Sequence, residues 1–552
     1  MQDSTLFVGV ASLVTYGLYH TYEPRHPAAH LALLFAAPGL LARHLSASSS
    51  CSAVTYILTY AQYWSLLTLF VVAYRVSPFH PLAAYPGPIP AKISKFWASY
   101  LAARGDQHEV LRKLHLEHGP VIRTGPNELS FADADAVQPV LVAKLLPKGP
   151  YYETRAMGDL TALDGLRDFN VHSIKRKPWI RAMSSSAMEG YEDQLEVTVR
   201  QLIDSLETRV RAGEPVDIST WMSYFGFDFM GKMAFGHEFG MLRTGTDVDN
   251  FWHTLETGVA MAGIISHIPW TLPVLNLIPG GGKEIKGLQA MCGGFARTRV
   301  AQGSSSKDIF YYLTGEDDLD RKDRPVLEAV TGDAMLAVIA GSDTTATALS
   351  HLWYFLLKNP QYYERLRAEV LSEAEGDFKA QVELPFLNAC INESLRLYPP
   401  VISGVQRRVD KGTGEKIICN HVVPEGTSVS VHVYSLHRSS THFSPIPDVY
   451  WPDRWLASEQ SYTLPSGEVI PAASVKTDKT VFLPFSAGPQ NCAGRGLAVV
   501  EMRAVAAAMV RKFESMQAVP GQGVEDWEKN VKDIYIQLRG PLVVNMKLSE
   551  KA

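Results

Sequence analysis

Residues Ala53 to Tyr74 read AVTYILTYAQYWSLLTLFVVAY and carry no charged side chain. A helix of about 20 apolar residues matches the hydrocarbon core of a bilayer, so this stretch is expected to be a membrane span, with a buried core helix as the alternative. Arg75 closes the run, and Pro78, Pro81, Pro86, Pro88 and Pro90 come after it. Tyr60, Tyr63, Trp64 and Tyr74 are candidate interface anchors, although Tyr63 and Trp64 lie deep for that role. Two weaker candidate spans precede the run, Thr5 to Tyr22 and His30 to Leu41, the second interrupted by Pro38. Asp3 stands where a secretory leader would be basic. Arg75, Lys92, Lys95 and Arg104 lie on the C-terminal side and place the remainder of the chain in the cytosol. One or three crossings satisfy that orientation, and Arg43 speaks against three. The chain therefore divides into an anchor over 1–77, a stiff proline-rich linker over 78–90 and a large unit over 91–552.

That unit must be a folded globule. Of 552 residues 46% are hydrophobic and 20% charged, which excludes a disordered chain. With 52 Lys+Arg against 57 Asp+Glu, no global positive field favours nucleic acid. The cysteines, Cys51, Cys292, Cys390, Cys419 and Cys492, form no C-x-x-C pair, so zinc ribbons and dithiol redox motifs are excluded. Helical periodicity dominates, as in Gln194–Val210, Asp333–Lys358, Pro360–Ala374 and Arg495–Phe513. Strand-like pieces are fewer: EKIICNHVVP, GTSVSVHVYSL and PLVVNMKL. The expected class is mainly α, a helix-rich α+β unit with small sheets.

One cysteine sits in a setting suited to chemistry. Residues 484–498 read PFSAGPQNCAGRGLA, so Cys492 lies between Gly488 and Gly494 and just before a helix-forming run. Glycines let backbone approach a planar group closely, and a helix N-terminus stabilises a thiolate. Taken alone, such a cysteine is more often a small buried hydrophobe. Three further patterns accompany it. Glu393 and Arg396 share one helix face at i, i+3. Ala340-Gly341-Ser342-Asp343-Thr344-Thr345 interrupts a long apolar helix with residues of low helix propensity. His172 and Arg176 lie at i, i+4 within a basic stretch that otherwise reads as a solvated face.

Together these motifs, in this order over residues 80–545, resemble the cytochrome P-450 family of haem-thiolate monooxygenases. Phe485, Gly488, Cys492 and Gly494 match its F-x-x-G-x-R-x-C-x-G pattern, and Gln490 stands where the family has an arginine that pairs with a haem propionate. Glu393 and Arg396 match E-x-x-R. Trp451-Pro452-Asp453-Arg454-Trp455 resembles the family segment that supplies the third member of a structural triad, Arg454. Residues 340–345 match A-G-x-[DE]-T-T at every specified position. His172 replaces the tryptophan of W-x-x-x-R, and Arg176 matches its arginine.

The resemblance implies haem b with Cys492 as axial iron ligand. It implies dioxygen bound beside Gly341, and proton delivery by Asp343 and Thr344. Cofactor contacts are expected from Phe485, Gly488, Gly494, Gln490, His172, Arg176 and Arg407. Electrons would come from NADPH through a separate NADPH-cytochrome P-450 reductase, with cytochrome b5 as a second candidate donor, at the endoplasmic reticulum membrane. Lys175, Lys177, Arg495 and Arg503 are candidates for the docking patch. Met335, Leu336, Ala340, Val401, Ile402 and Val405 are expected to line an apolar substrate pocket. The segment from Gly258 to Ile278, with His267 as its one titratable group, is expected to roof that pocket and touch the bilayer. The implied reaction is hydroxylation of a hydrophobic secondary metabolite such as a terpenoid. The alternatives are a haem-thiolate isomerase or dehydratase working without a reductase, and a membrane-anchored haem-binding protein.

Overall fold

The structure, a computed structural model, describes residues 2–24, 26–46, 52–155, 161–275, 278–304, 306–318, 325–372 and 378–550. Its N-terminal part is three helices: α1 (Gln2–Tyr22), α2 (Pro27–Ser46) and α3 (Ser52–Val76). By length and composition, Pro27–Ser46 and Ala53–Val76 are long and apolar enough to cross a membrane. Helix α1 runs parallel to α3: Ser12 bonds the Tyr63 carbonyl at 3.2 Å, Tyr16 meets Phe70, and His20 meets Tyr74. Helix α2 returns between them in sequence and continues through Pro38 rather than stopping at Leu41. It does so by adopting a π turn over Ala32–Ala36.

Proline has no N–H to donate, and a π turn shifts the remaining bonds by one residue, so carbonyls in this turn lose their usual partners. Helix α3 supplies replacements. Tyr63 Oη donates to Leu33 O at 2.8 Å, Trp64 Nε1 to Leu34 O at 3.0 Å and Tyr60 Oη to Phe35 O at 2.7 Å. In an apolar surrounding an unbonded carbonyl is costly. Tyr60, Tyr63 and Trp64 are therefore partners of a broken helix, not the interface anchors expected of them. The turn after α1 is tied to the rest of the chain by Glu23 and Arg408, 3.0 Å apart.

In the large unit the site rests on six helices. They are α4 (Phe169–Ala182), α5 (Ile218–Phe235), α6 (Phe251–Ser266), α7 (Leu327–Lys358), α8 (Pro385–Leu397) and α9 (Arg495–Lys512). The patterned segment at Gln194–Val210 is the helix Glu192–Arg211, and the one expected over Pro360–Ala374 is the helix Pro360–Leu371, with Ala374 outside the described residues. Helices α5 and α7 cross at the centre of the core. A Cβ on Gly226 would lie 2.6 Å from Ser342 O, and one on Gly341 would lie 2.6 Å from Met230 Cε, so a glycine on each helix permits the close approach.

One four-stranded sheet has β1 (Val121–Gly125), β2 (Glu128–Phe131), β3 (Gln406–Arg408) and β4 (Ser428–Val431) in the order β1-β2-β4-β3. Strand β4 pairs parallel to β2 and antiparallel to β3. The expected strand GTSVSVHVYSL stops at Val431, and Val433–His437 is helical. Its partner β2 ends at Phe131, whose carbonyl takes a last bond from His432 N at 2.7 Å, so no ladder remains to extend. EKIICNHVVP is a hairpin, Lys416–Ile418 with His421–Val423, turning through Cys419 and Asn420 at positive φ. A second hairpin pairs β5 (Lys532–Ile534) with β6 (Ile536–Leu538).

Candidate active site

The loop before α9 is braced on three sides. Leu483 N donates to His437 Nε2 at 2.9 Å, while His437 Nδ1 meets Arg396 O at 2.8 Å. Gly488 has φ +75°, and a Cβ there would lie 2.3 Å from Leu141 O, so both conformation and space demand glycine. Cys492 N donates to Phe485 O at 3.0 Å. Arg176 on α4 donates to Asn491 O and Oδ1, both at 2.7 Å. The Cys492 side chain is accessible although protein encloses it, and a Cβ on Gly494 would meet nothing within 4 Å, so open space lies beside the sulfur within the fold. Burial pushes the Cys492 thiol up. The N–H groups of Gly494 and Arg495 and the charges of Arg176 and Arg495 pull it back. These last groups stabilise an anion on sulfur.

Polar groups near this loop are left unsatisfied. Both amide atoms of Gln490 are buried without a partner among the described residues. Arg407 on β3 is 2% exposed, and among the described residues its guanidinium donates a single long bond, 3.5 Å, to Gln406 O. His172 is held neutral, at about 4, by burial and then by the charges of Lys148, Arg176 and Arg407. Buried cations without carboxylates are unstable unless an anion joins them. A planar macrocycle with two carboxylates, approaching an open thiolate, fits this donor set. Gln490 and Arg407 stand ready for such a group. Arg176 spends two bonds on Asn491, so it orients the loop. His172, being neutral, can offer a hydrogen bond but no charge.

The facing element is α7. From Val330 to Leu356 every residue is buried except Leu336, Ile339, Ala340, Gly341 and Thr344. Leu336, Ala340 and Thr344 fall at i, i+4, i+8, one face of the helix. An accessible stripe on a central helix marks an interior opening. The Thr344 hydroxyl donates to Ala340 O across one turn. The missing side chain of Gly341 faces Met230, so this glycine serves the α5–α7 crossing, and Ala340 is the most open position. Asp343 lies on a different face. Its Oδ1 is 3.1 Å from Arg539 Nη1, both side chains are 3% exposed, and Oδ2 has no partner among the described residues. Arg539 also donates to the Thr347 hydroxyl and, at 2.6 Å, to Ser223 Oγ. Burial raises the Asp343 carboxyl pKa in spite of the nearby guanidinium.

Comparison with known proteins decides what this arrangement is. The family model described as cytochrome P-450 matches residues 84–539. The chain belongs to the cytochrome P-450 family. It is 32% identical over 457 residues to cytochrome P-450 monooxygenase FCK2 of Fusarium pseudograminearum, covering 81% of this chain and 78% of that one. It is 30% identical to cytochrome P-450 67 of Uromyces fabae, covering 86% and 87%. It is 29% identical to tryprostatin B 6-hydroxylase of Aspergillus fumigatus, covering 91% and 88%. Membership makes it a haem-iron monooxygenase that uses dioxygen.

The P-450 frame places the remaining residues. Glu393, Arg396 and Arg454 converge with no exposure. Glu393 accepts five bonds: two from Arg396 at 2.8 Å, and one each from Arg454 Nε (3.0 Å), Trp451 N (3.0 Å) and Trp455 Nε1 (2.9 Å). Burial favours a neutral Glu393, but the charges of Arg396 and Arg454 win and lower its pKa. Asp453 pairs outward with Arg365 at 2.6 Å. Among the proposed pocket residues Leu336, Ala340, Val401 and Val405 are accessible, whereas Met335 and Ile402 turn into the packed core. In the docking patch Lys177 and Arg495 are exposed. Lys175 instead turns to Asp333 at 3.4 Å, and Arg503 bonds Asn388 at 2.7 Å.

Four residues escape a reading of the sequence: Lys148, Asn491, Arg539 and Glu501. Asn491 fills an unspecified position of the Cys492 loop pattern and the other three sit in no pattern, since each acts through a partner distant in sequence or through burial alone. Glu501 on α9 is buried with Oε2 unpaired, and burial lifts its pKa well above the carboxylate range.

Proposed function

We propose that this enzyme hydroxylates a hydrophobic secondary metabolite, such as a terpenoid, with electrons from NADPH delivered by a separate membrane-bound reductase and cytochrome b5 as a second donor. The observation that carries this reading is the stripe Leu336–Ala340–Thr344. It offers an apolar wall with one hydroxyl, on a helix whose other residues from Val330 to Leu356, Ile339 and Gly341 apart, are buried. Haem bound through Cys492 supplies dioxygen activation, which thiolate ligation favours. Thr344 Oγ1 holds a proton at the opening and keeps its orientation through Ala340 O. Asp343 serves as the acid behind it, held by Arg539 until a proton is required. Leu336, Ala340, Val401 and Val405 exclude water from the reacting carbon. Two relatives carry the name of a hydroxylase, in keeping with oxygen insertion at carbon.

In this proposal residues 1–77 anchor the chain in the endoplasmic reticulum membrane, 78–90 form the linker and 91–552 work on the cytosolic side. A bent pair, Val248–Ser266 with Pro269–Leu275 at 110°, presents exposed Met261, Trp270 and Val274 beside Phe96, an apolar patch suited to the lipid surface. An apolar substrate would then enter from the bilayer. The test reconstitutes the full chain with reductase, NADPH and an apolar library that includes terpenoids. A product gaining one oxygen atom, dependent on both reductase and NADPH, is expected. Turnover of a peroxide without reductase would establish the isomerase or dehydratase alternative. Haem binding with no turnover of any kind would establish the binding protein.

A further inference from the structure

Helix α1 has the polarity of a helix in hydrocarbon, not in water. Val8, Ser12, Thr15 and Tyr19 fall on one face, at i, i+4, i+7 and i+11, and that face turns inward. Ser12 and Thr15 are buried. Ser12 Oγ lies 2.8 Å from Val8 O and 3.2 Å from Tyr63 O. Thr15 Oγ1 and Tyr63 Oη are 2.5 Å apart, and Tyr63 Oη donates onward to Leu33 O at 2.8 Å. Tyr19 Oη meets His30 Nδ1 at 2.7 Å. The hydroxyls of α1 therefore bond it to both α2 and α3. The opposite face carries Leu6, Val10, Leu13 and Val14, each more than half exposed. A helix packed on a protein in water would exchange these two faces. Polar side chains between helices and apolar ones outside are what a lipid surrounding selects.

The length fits as well. The 21 residues of α1 rise about 30 Å, the thickness of a bilayer's hydrocarbon core. No Asp, Glu, Lys or Arg lies between Asp3 and Glu23. The C-terminal end of α1 is fastened to the large unit. Glu23 Oε2 is 3.0 Å from Arg408 Nη2 on β3, and Oε1 is 3.4 Å from Lys411 Nζ. Lys411 Nζ also donates to Thr21 O at 3.2 Å, one of the carbonyls left open where the helix ends. Arg408 is buried, and Glu23 is its one carboxylate among the described residues. Helix α3 also ends on the side of the large unit, and α1 runs parallel to it, so the start of α1 lies at the far side of the bilayer. Arg43 is exposed in the last turn of α2, where a long side chain reaches the headgroups, and so does not oppose this arrangement.

We propose that α1 is a third membrane crossing whose outward face meets lipid acyl chains, and that Glu23 clasps the large unit to it. The clasp grips the strand that carries Arg407, so the site is held at a fixed attitude to the bilayer by more than the proline-rich linker. The inference rests on the reading that α3 anchors the chain with residues 91–552 in the cytosol.

The test uses the full chain in microsomes. One form carries an N-glycosylation acceptor on a polar extension ahead of α1. Another carries Glu23→Cys and Lys411→Cys in a Cys419→Ser background, with a specific protease site within residues 78–90. The extension should be glycosylated, which puts the start of α1 in the lumen. A short bismaleimide should keep anchor and large unit joined after cleavage, which puts residue 23 in the cytosol, while single-cysteine chains separate. The two results together require α1 to cross. An unmodified extension, or a double-cysteine chain that separates, would overturn the proposal. With the same protease site and the native cysteines, Glu23→Gln should be cleaved several-fold faster than wild type and Glu23→Asp should stay closer to it. Equal rates in all three would overturn the clasp. Release of the whole chain from the membrane by alkaline carbonate would instead overturn the anchor reading beneath it.

Discussion

Arg539→Met separates the acid behind the oxygen site from its countercharge. In the folded chain Asp343 and Arg539 are 3.1 Å apart at 3% exposure, and the guanidinium also satisfies Ser223 and Thr347. Removing one partner of a buried pair strands the other, at a cost of about 3–5 kcal/mol. The sign of its pH dependence is set by Asp343. Burial already raises its folded pKa, and loss of Arg539 must raise it further. The folded carboxyl then holds its proton more tightly than the unfolded one. The penalty vanishes below the unfolded value of about 4, grows as pH rises, and levels off above the folded pKa. Denaturant unfolding of the haem-loaded full chain in detergent should show a loss of about 3–5 kcal/mol at about pH 8, and roughly 2 kcal/mol less at about pH 5. Adding Asp343→Asn removes the stranded charge, so the double variant should recover about half the loss and lose its pH dependence. A pH-independent loss below about 1 kcal/mol, with no recovery in the double variant, would refute the reasoning.

Thr344→Ala should leave the haem spectrum intact while diverting NADPH electrons to hydrogen peroxide; unchanged product per NADPH would remove Thr344 from the proton path. Glu393→Gln should lose about 3–5 kcal/mol in the same unfolding assay, because an amide nitrogen would face donors and leave Arg396 and Arg454 uncompensated; a near-native midpoint would deny the triad its structural role. Trp64→Phe should strand Leu34 O and weaken α2–α3 packing by about 1–2 kcal/mol, read by faster proteolysis between Ser46 and Ser52, while Trp64 replacements that keep a donor should not.

The sequence announces what is local. The Cys492 loop, the Glu393–Arg396 pair and the α7 motif can each be read within a few residues, because backbone conformation and helix faces are set by short spacings. Tertiary pairing cannot be read that way. Arg539 is 196 positions from Asp343, and nothing in its own neighbourhood distinguishes it. Lys148 looks like any loop lysine until β3 pairing carries it inside. Trp64 lies 30 residues from the carbonyl it serves, and its place deep in an apolar run is explained only by the break in α2 ahead of Pro38. The length of the strand in GTSVSVHVYSL is hidden for the same reason: the limit is set by where β2 ends. The motif at 340–345 suggests an oxygen groove at Gly341, whereas packing against Met230 explains that glycine.

The central claim is that the Cys492 sulfur is the anionic ligand of a haem iron, and the carbon-monoxide difference spectrum of the reduced full chain tests it most directly. The account predicts the red-shifted Soret band of a thiolate ligand in wild type, and its loss in Cys492→Ser without a change in membrane fractionation. A band of the nitrogen-ligated kind in folded wild-type protein, or a thiolate band that survives Cys492→Ser, would contradict it.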